Sequence, residues 1–128
     1  MSFMGYSARG AAQWYTQDDG TIAPTAVGGS IPFAPEVCIP ALEKMRETYG
    51  KKIYDRYGFK DAFNLTINYK NGSTGWVDPD YLGIDQGPIV IQIENYKSNF
   101  VGNLMKKNKY IVAGLKRAGF KGGWLDQK

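Results

Sequence analysis

The sequence reads as all-α, with about five helices and two long loops, and three observations carry that reading. Apolar residues recur at three- and four-residue spacing through 37–49 and again through 89–115. Proline stands where helices begin, and glycine or asparagine where they stop. Strand-like patterning is confined to one short stretch, Asn64 to Tyr69.

The first loop runs from Gln17 to Ala34, QDDGTIAPTAVGGSIPFA, and its Asp19-Gly20, Gly28-Gly29 and prolines read as turns. Pro35 suits the first position of a helix, with Glu36 favourably placed at its positive end. Val37, Cys38, Ala41, Leu42, Met45 and Tyr49 then form one apolar stripe, and Gly50 supplies the stop. Pro40 predicts a late start or a kink. A short helix is expected over Lys51–Tyr57, ended by Gly58. The second loop, Phe59 to Ile84, carries turns at Asn71-Gly72 and Ser73-Thr74-Gly75.

A further helix is expected to begin between Asp85 and Pro88, with Asp85 or Gly87 as its N-cap. Ile89, Val90, Ile91 and Ile93 leave it apolar over most of its circumference, which is the mark of a central helix. Two more helices follow, over Asn99–Lys107 and Lys109–Ala118. Asn108 caps the second, Gly119 stops it, and Lys116 and Arg117 lie in its last turn. Each long loop leads into an apolar helix. If both helices are inner ones, both loops lie at one end of the fold, as helical hairpins in a toroid would place them.

The 128 residues are enough for one modest domain, and 14% aromatic content is too high for a disordered chain. Net charge is +4. The basic residues Lys106, Lys107, Lys109, Lys116, Arg117 and Lys121 read as a solvated helix face, so neither nucleic acid nor membrane is an expected partner. The single cysteine, Cys38, allows no internal disulfide, and the absence of histidine removes Ser-His-Asp, Cys-His and His-metal chemistry from this chain. Acid or base work falls to carboxylates, with tyrosine or lysine as weaker candidates. Asp78-Pro-Asp has no EF-hand pattern, and neither a metal nor a cofactor is expected. The N-terminal residues lack a signal-peptide pattern, and no apolar run approaches the ~20 residues that span a bilayer.

Four segments in order, DDGTIAPTAVGGSIPFAPE, YGFKDAFN, WVDPDYLGIDQGPIVIQIENY and GLKRAGFKGGWL, resemble the C-terminal part of the glycoamylase-like family. That family includes bacterial endo-β-1,2-glucanases and related domains of cyclic β-1,2-glucan synthases, and the resemblance runs from about Tyr6 to Leu125. It implies an (α/α)6 toroid around a glycan-binding cleft, an inverting glycoside hydrolase acting on β-glucan, and relatives that are often periplasmic or secreted. Twelve helices of ~12 residues with loops need roughly 300 residues. Residues 1–128 are therefore expected to supply about two of six hairpins and part of a third, an incomplete C-terminal portion of the catalytic domain. Such a piece is expected to expose apolar barrel-wall surface and to self-associate or need a covering chain.

Glycoside hydrolysis ordinarily uses two carboxyl groups. Asp85 is the first catalytic candidate, because it stands where a long loop meets an inner helix; the structural alternative is that it caps that helix. Glu94 is the second, although nine residues on it falls on roughly the opposite face, ~13 Å along the axis. A structural partnership with arginine or tyrosine is its alternative. Asp78 and Asp80, which flank Pro79, read as turn residues first and as candidate sugar-hydroxyl ligands second; Asp18 and Asp19 share that ambiguity, and Asp61 suits the cap of a local turn. Trp76 and Tyr81 are candidate stacking platforms, with Trp14, Tyr15, Phe33 and Phe63 as further aromatics. Arg9 and Gln86 complete the candidate substrate-binding set. Two other functions stay open alongside hydrolysis: a non-catalytic glycan-binding remnant, and a transglycosylating relative of the cyclic glucan synthases.

Overall fold

The computed structural model of the chain describes residues 5, 7, 18–68, 71–72 and 74–126. They form five α-helices and two small antiparallel hairpins. The helices are α1 (Pro24–Gly29), α2 (Pro35–Tyr49), α3 (Gly83–Ser98), α4 (Phe100–Lys106) and α5 (Lys109–Arg117). The strands are β1 (Tyr54–Asp55), β2 (Gly58–Phe59), β3 (Phe63–Asn68) and β4 (Thr74–Val77). The architecture is mostly helical, and the all-α expectation is corrected by the two hairpins.

The expected helix at 35–49 forms as read. Pro35 opens α2, and Gly50 closes it with φ +52, where its amide donates to the Arg46 carbonyl. Pro40 neither delays nor interrupts the helix as assigned. It is the sixth residue, so the lost hydrogen bond falls on the Glu36 carbonyl, and Glu36 is exposed.

The expected helix at 51–57 does not form. A single 3-10 turn at Gly50–Lys52 gives way to the β1–β2 hairpin, registered Tyr54↔Phe59 and Asp55↔Gly58. Seven residues are too few to hold a helix without tertiary packing. Here the aromatic pair wins: Tyr54 and Phe59 meet edge to face across the strands at 4.8 Å. Gly58, at φ +95, takes a backbone conformation that other residues resist.

Both long loops contain structure. In the first, Pro24 starts α1, whose Pro24, Thr25 and Gly28 are buried. A six-residue helix is unstable by itself, and α1 persists through its packing on α3. Gly28 permits the approach: a Cβ there would stand 3.0 Å from Ile89 Cγ1. In the second loop β3 pairs with β4, with Phe63 opposite Val77 and Asn64 opposite Trp76.

The two loops are tied together, as the expectation of a shared end requires. Ile22 and Phe63 exchange backbone hydrogen bonds of 2.8 and 2.9 Å. Among the described residues the small core comprises Ile31, Cys38, Ile53, Ala62 and Phe63. The Phe63 ring rests against Tyr49 at 5.1 Å, which joins the loop junction to α2.

Helix α3 starts at Gly83, with Leu82 as an N-cap that offers no side chain. Asp85 is thus the third residue of the helix, and Pro88 lies in its second turn. Asn99 breaks the helix with φ +53, one of the few non-glycine residues that tolerate the left-handed region. Asn108 caps α5 as expected, its Oδ1 accepting from the Tyr110 amide at 2.9 Å and the Ile111 amide at 3.4 Å.

Candidate functional site

A cleft of about 460 Å³ opens between the first loop, α1 and the N-terminal turn of α3. Thr21, Thr25, Ser30, Asp61, Ile84 and Asp85 contribute to its wall. Among the described residues the wall has hydroxyls, small apolar groups and two carboxylates, and no lysine or arginine. That chemistry suits a neutral, hydroxyl-bearing ligand and opposes an anionic one.

Local structure fixes the wall. The Thr25 hydroxyl donates to the Asp61 carbonyl at 3.2 Å and so joins α1 to the start of β3. Asn64, fully buried, is the hub of the loop junction. Its Nδ2 donates to the Asp19 carbonyl at 2.8 Å and to Thr21 Oγ1 at 3.2 Å. Its Oδ1 accepts from the Thr66 amide at 3.0 Å and the Thr66 hydroxyl at 2.7 Å. All of its polar capacity toward loop and strand is thereby engaged.

Asp85 lies on this wall, in the first turn of α3, where the helix dipole favours a negative charge. Its Oδ2 is buried without a hydrogen-bond partner. Buried polar atoms are satisfied in the great majority of cases, so an unsatisfied carboxylate oxygen at a cleft is a candidate ligand contact. The capping alternative is corrected, because Leu82 occupies the N-cap and Asp85 makes no side-chain cap bond there.

The structure disperses the other candidates. Glu94 accepts from the Ser98 hydroxyl one turn along α3 and does not contribute to the described cleft wall. Its partner is therefore a serine, in place of the expected arginine or tyrosine. Asp19 Oδ1 accepts from the Thr21 amide at 3.1 Å, a turn geometry, while its carbonyl binds Asn64. Asp18 Oδ1 accepts from the Gly20 amide at 3.0 Å in the same manner.

Asp78 is buried, accepts from the Asp80 amide at 2.9 Å, and donates its own amide to the Ala62 carbonyl. Asp80 is exposed beside it. Trp76 is half-buried on β4.

Tyr81 meets Tyr57 edge to face at 5.5 Å. Desolvation, then the Asp55 carboxylate and the Tyr57 phenol, raise the Tyr81 phenol above its usual pKa of 10.0. Gln86 Nε2 donates to the Phe59 carbonyl at 2.8 Å and ties the β1–β2 hairpin to α3. Phe63, buried in the core, has no face to offer a sugar, whereas Phe33 is 78% exposed. Arg9, Trp14 and Tyr15 lie outside the described residues.

Sequence reasoning missed Thr21, Thr25 and Ser30 and weighed Asp61 only as a turn residue. The cue in hand was position: all four stand at or beside the two loops already read as converging. Among the described residues no three His, Cys, Asp or Glu side chains gather as metal ligands. Nor, among those residues, is any helix long and apolar enough to cross a membrane.

Comparison with known proteins gives a consistent picture. Residues 1–109 match the Glycoamylase family model, described as "Putative glucoamylase". Over 101 residues the chain is 36% identical to an exo β-1,2-glucooligosaccharide sophorohydrolase (non-reducing end) of Parabacteroides distasonis, covering 79% of this chain and 13% of that protein. It superposes on the endo-β-1,2-glucanase of Chitinophaga pinensis, solved with sophorotriose and glucose, with a TM-score of 0.76 and 36% identity. That match covers 94% of this chain and 27% of the other. A "putative glucoamylase" of Bacteroides uniformis aligns at 42% identity and a TM-score of 0.71, covering 85% and 25%. The chain thus spans 13% of the curated relative's length and about a quarter of each of these two solved chains.

Proposed function

Because this chain belongs to the glycoamylase-like family, we propose that it forms the C-terminal part of a toroidal glycoside hydrolase domain that cleaves β-1,2-glucan. The reading extends to an endo-acting enzyme with an inverting, two-carboxylate mechanism. The observation that supports it most is the buried, unpartnered Oδ2 of Asp85 on a hydroxyl-lined wall that, among the described residues, carries no lysine or arginine. Such an oxygen is an acceptor in want of an O–H donor, and both a sugar hydroxyl and an attacking water supply one.

Inverting hydrolysis needs one carboxylic acid to protonate the leaving oxygen and one carboxylate to activate water, ~6.5–9.5 Å apart. Asp85 takes the base or transition-state-stabilising role. Asp61, which shares the wall, is the first candidate in this chain for a second carboxyl group. Glu94 is set aside for that role, since its carboxylate already holds Ser98.

The test is reducing-sugar release from linear β-1,2-glucan. The enzyme is a chimera in which this chain replaces the matching quarter of the Chitinophaga pinensis protein. Asp85→Asn is expected to lower kcat by about 100-fold or more with glycan binding retained. Unchanged turnover in that variant removes Asp85 from the chemistry. Binding without turnover in the parent chimera favours the glycan-binding alternative, and products without reducing ends favour transglycosylation.

A further inference from the structure

A second cavity, of about 340 Å³, lies between the C-terminal end of α2 and the β1–β2 hairpin, and it shares no wall residue with the cleft. Its wall consists of Arg46, Gly50, Lys51, Tyr54, Asp55 and Arg56. The two cavities are opposite in charge. The cleft wall holds two carboxylates and, among the described residues, no lysine or arginine, whereas this wall holds three cations and a single carboxylate.

The cations are positioned without being neutralised. The Arg46 guanidinium carbon lies 4.7 Å from the centroid of the Tyr54 ring, and that of Arg56 lies 5.3 Å from the Tyr57 ring. A guanidinium laid over an aromatic ring uses its face for the contact and keeps its N–H edge for an acceptor. Among the described residues neither arginine nor Lys51 joins an ion pair, and all three side chains are exposed. Gly50 leaves part of the wall as bare backbone, and a Cβ there would meet no atom within 4 Å.

Helix electrostatics account for part of this charge. Arg46 and Lys51 stand at the C-terminus of α2, where the dipole amounts to about −0.5 charge and favours a cation. Arg56 comes from the turn between β1 and β2 and complements no helix end. Three cations against Asp55 and the helix end leave the wall positive by roughly one and a half charges. A phosphate group carries about −1.5 to −2 at neutral pH and offers three acceptor oxygens, which matches that surplus better than a singly charged carboxylate does.

We propose that this cavity binds a phosphate group, with Arg46 and Arg56 donating through their guanidinium edges and Lys51 supplying the third charge. Its volume of about 340 Å³ stands at the lower end of the ~300–1,000 Å³ of small-molecule sites, so free phosphate and the phosphate of a small ester both fit. The inference is independent of the glycan chemistry proposed above, because no residue of the cleft takes part.

The experiment is an amide NMR titration of the full chain, at constant ionic strength, with inorganic phosphate, glucose 6-phosphate, acetate and glucose. Saturable shifts centred on Gly50, Lys51 and Arg56 are expected with both phosphates, weaker binding with acetate, and no shift of these three amides with glucose. Tighter binding of glucose 6-phosphate than of inorganic phosphate assigns the site to an organic ester, and equal or weaker binding assigns it to the free ion. Arg46→Gln and Arg56→Gln should each weaken phosphate binding about 5-fold or more. Lys116→Gln with Arg117→Gln, on α5, should change it by less than about 2-fold. Asp55→Asn removes the opposing carboxylate and should tighten binding about 2-fold or more, a gain that a misfolded variant cannot give. Shifts spread evenly over the basic residues, acetate bound as tightly as phosphate, arginine variants that bind like the parent, or an Asp55→Asn variant that binds no better, each overturn the proposal.

Discussion

Asn64→Leu separates the loop junction from the rest of the fold. Leucine keeps the branched outline of asparagine but is bulkier, so the change removes the hydrogen bonds and adds a packing cost at a fully buried site. Four are lost: two donated to the Asp19 carbonyl and Thr21 hydroxyl, and two accepted from Thr66. Each is worth about 0.5–1.5 kcal/mol net when buried. Thr66 is exposed and recovers part of its loss from water. The Asp19 carbonyl, with a fully buried side chain against it, recovers less. The total destabilisation is then about 2–4 kcal/mol. For a chain of this size that corresponds to a fall in Tm of roughly 10 °C, read by far-UV circular dichroism. Thr66→Val, which removes only the hydroxyl contact, should lower Tm by no more than about a third of that. A fall below about 3 °C for Asn64→Leu, or equal effects of the two variants, would refute the claim that Asn64 holds the first loop to β3.

Other consequences are shorter to state. Gly28→Ala places a Cβ 3.0 Å from Ile89 Cγ1, so the Ile89 side chain must give by a few tenths of an ångström at the α1–α3 contact. It should destabilise by about 1–3 kcal/mol in urea unfolding, although alanine favours a helix more than glycine does. Asn108→Ala removes the α5 cap and should cost about 1 kcal/mol, seen as faster amide exchange at Tyr110 and Ile111 with α2 unaffected. The raised Tyr81 pKa means that the unfolded chain releases that proton first as pH climbs. This contribution to stability is full below pH 10 and is lost as pH rises through the folded value. Ultraviolet titration of the parent against Tyr81→Phe should place the missing phenol above 10.0, and Asp55→Asn should bring it down.

What was legible in the sequence follows a physical division. Helices with their own stop signals were read nearly to the residue: α2 from Pro35 and Gly50, α5 from Asn108 and Gly119. In these, cap and turn chemistry is local, and local chemistry is what a sequence displays. The elements that were misread are the ones that tertiary contact decides. The 51–57 segment has helix-compatible residues, but the Tyr54–Phe59 contact favours a hairpin. Helix α1 looked like a loop because Gly28-Gly29 suggests a turn. That same glycine is what lets α1 lie against Ile89. Strand β4 was hidden because Thr74-Gly75 reads as a turn, while Gly75, at φ +81, sits against Leu65 of β3. Among the described residues five helices form, as expected, but they are not the same five.

The candidate site divides in the same manner. Asp85 was read as a candidate because it stands at a junction of two elements, and junctions are visible in one dimension; the structure puts it on the cleft wall. The rest of its wall was not found, because Thr21, Thr25, Ser30 and Asp61 reach it only through the Ile22–Phe63 bridge and the Asn64 network. No spacing in the sequence encodes a contact across 45 residues such as that between Asn64 and Asp19. Helix α3 carries both halves of the functional argument. Its first turn presents an unsatisfied carboxylate to the cleft, and its open flank presents isoleucine and valine to solvent. The carboxylate oxygen needs a donor, and the apolar flank needs a cover. The donor falls to what occupies the cleft, which is why Asp85→Asn is expected to lower turnover.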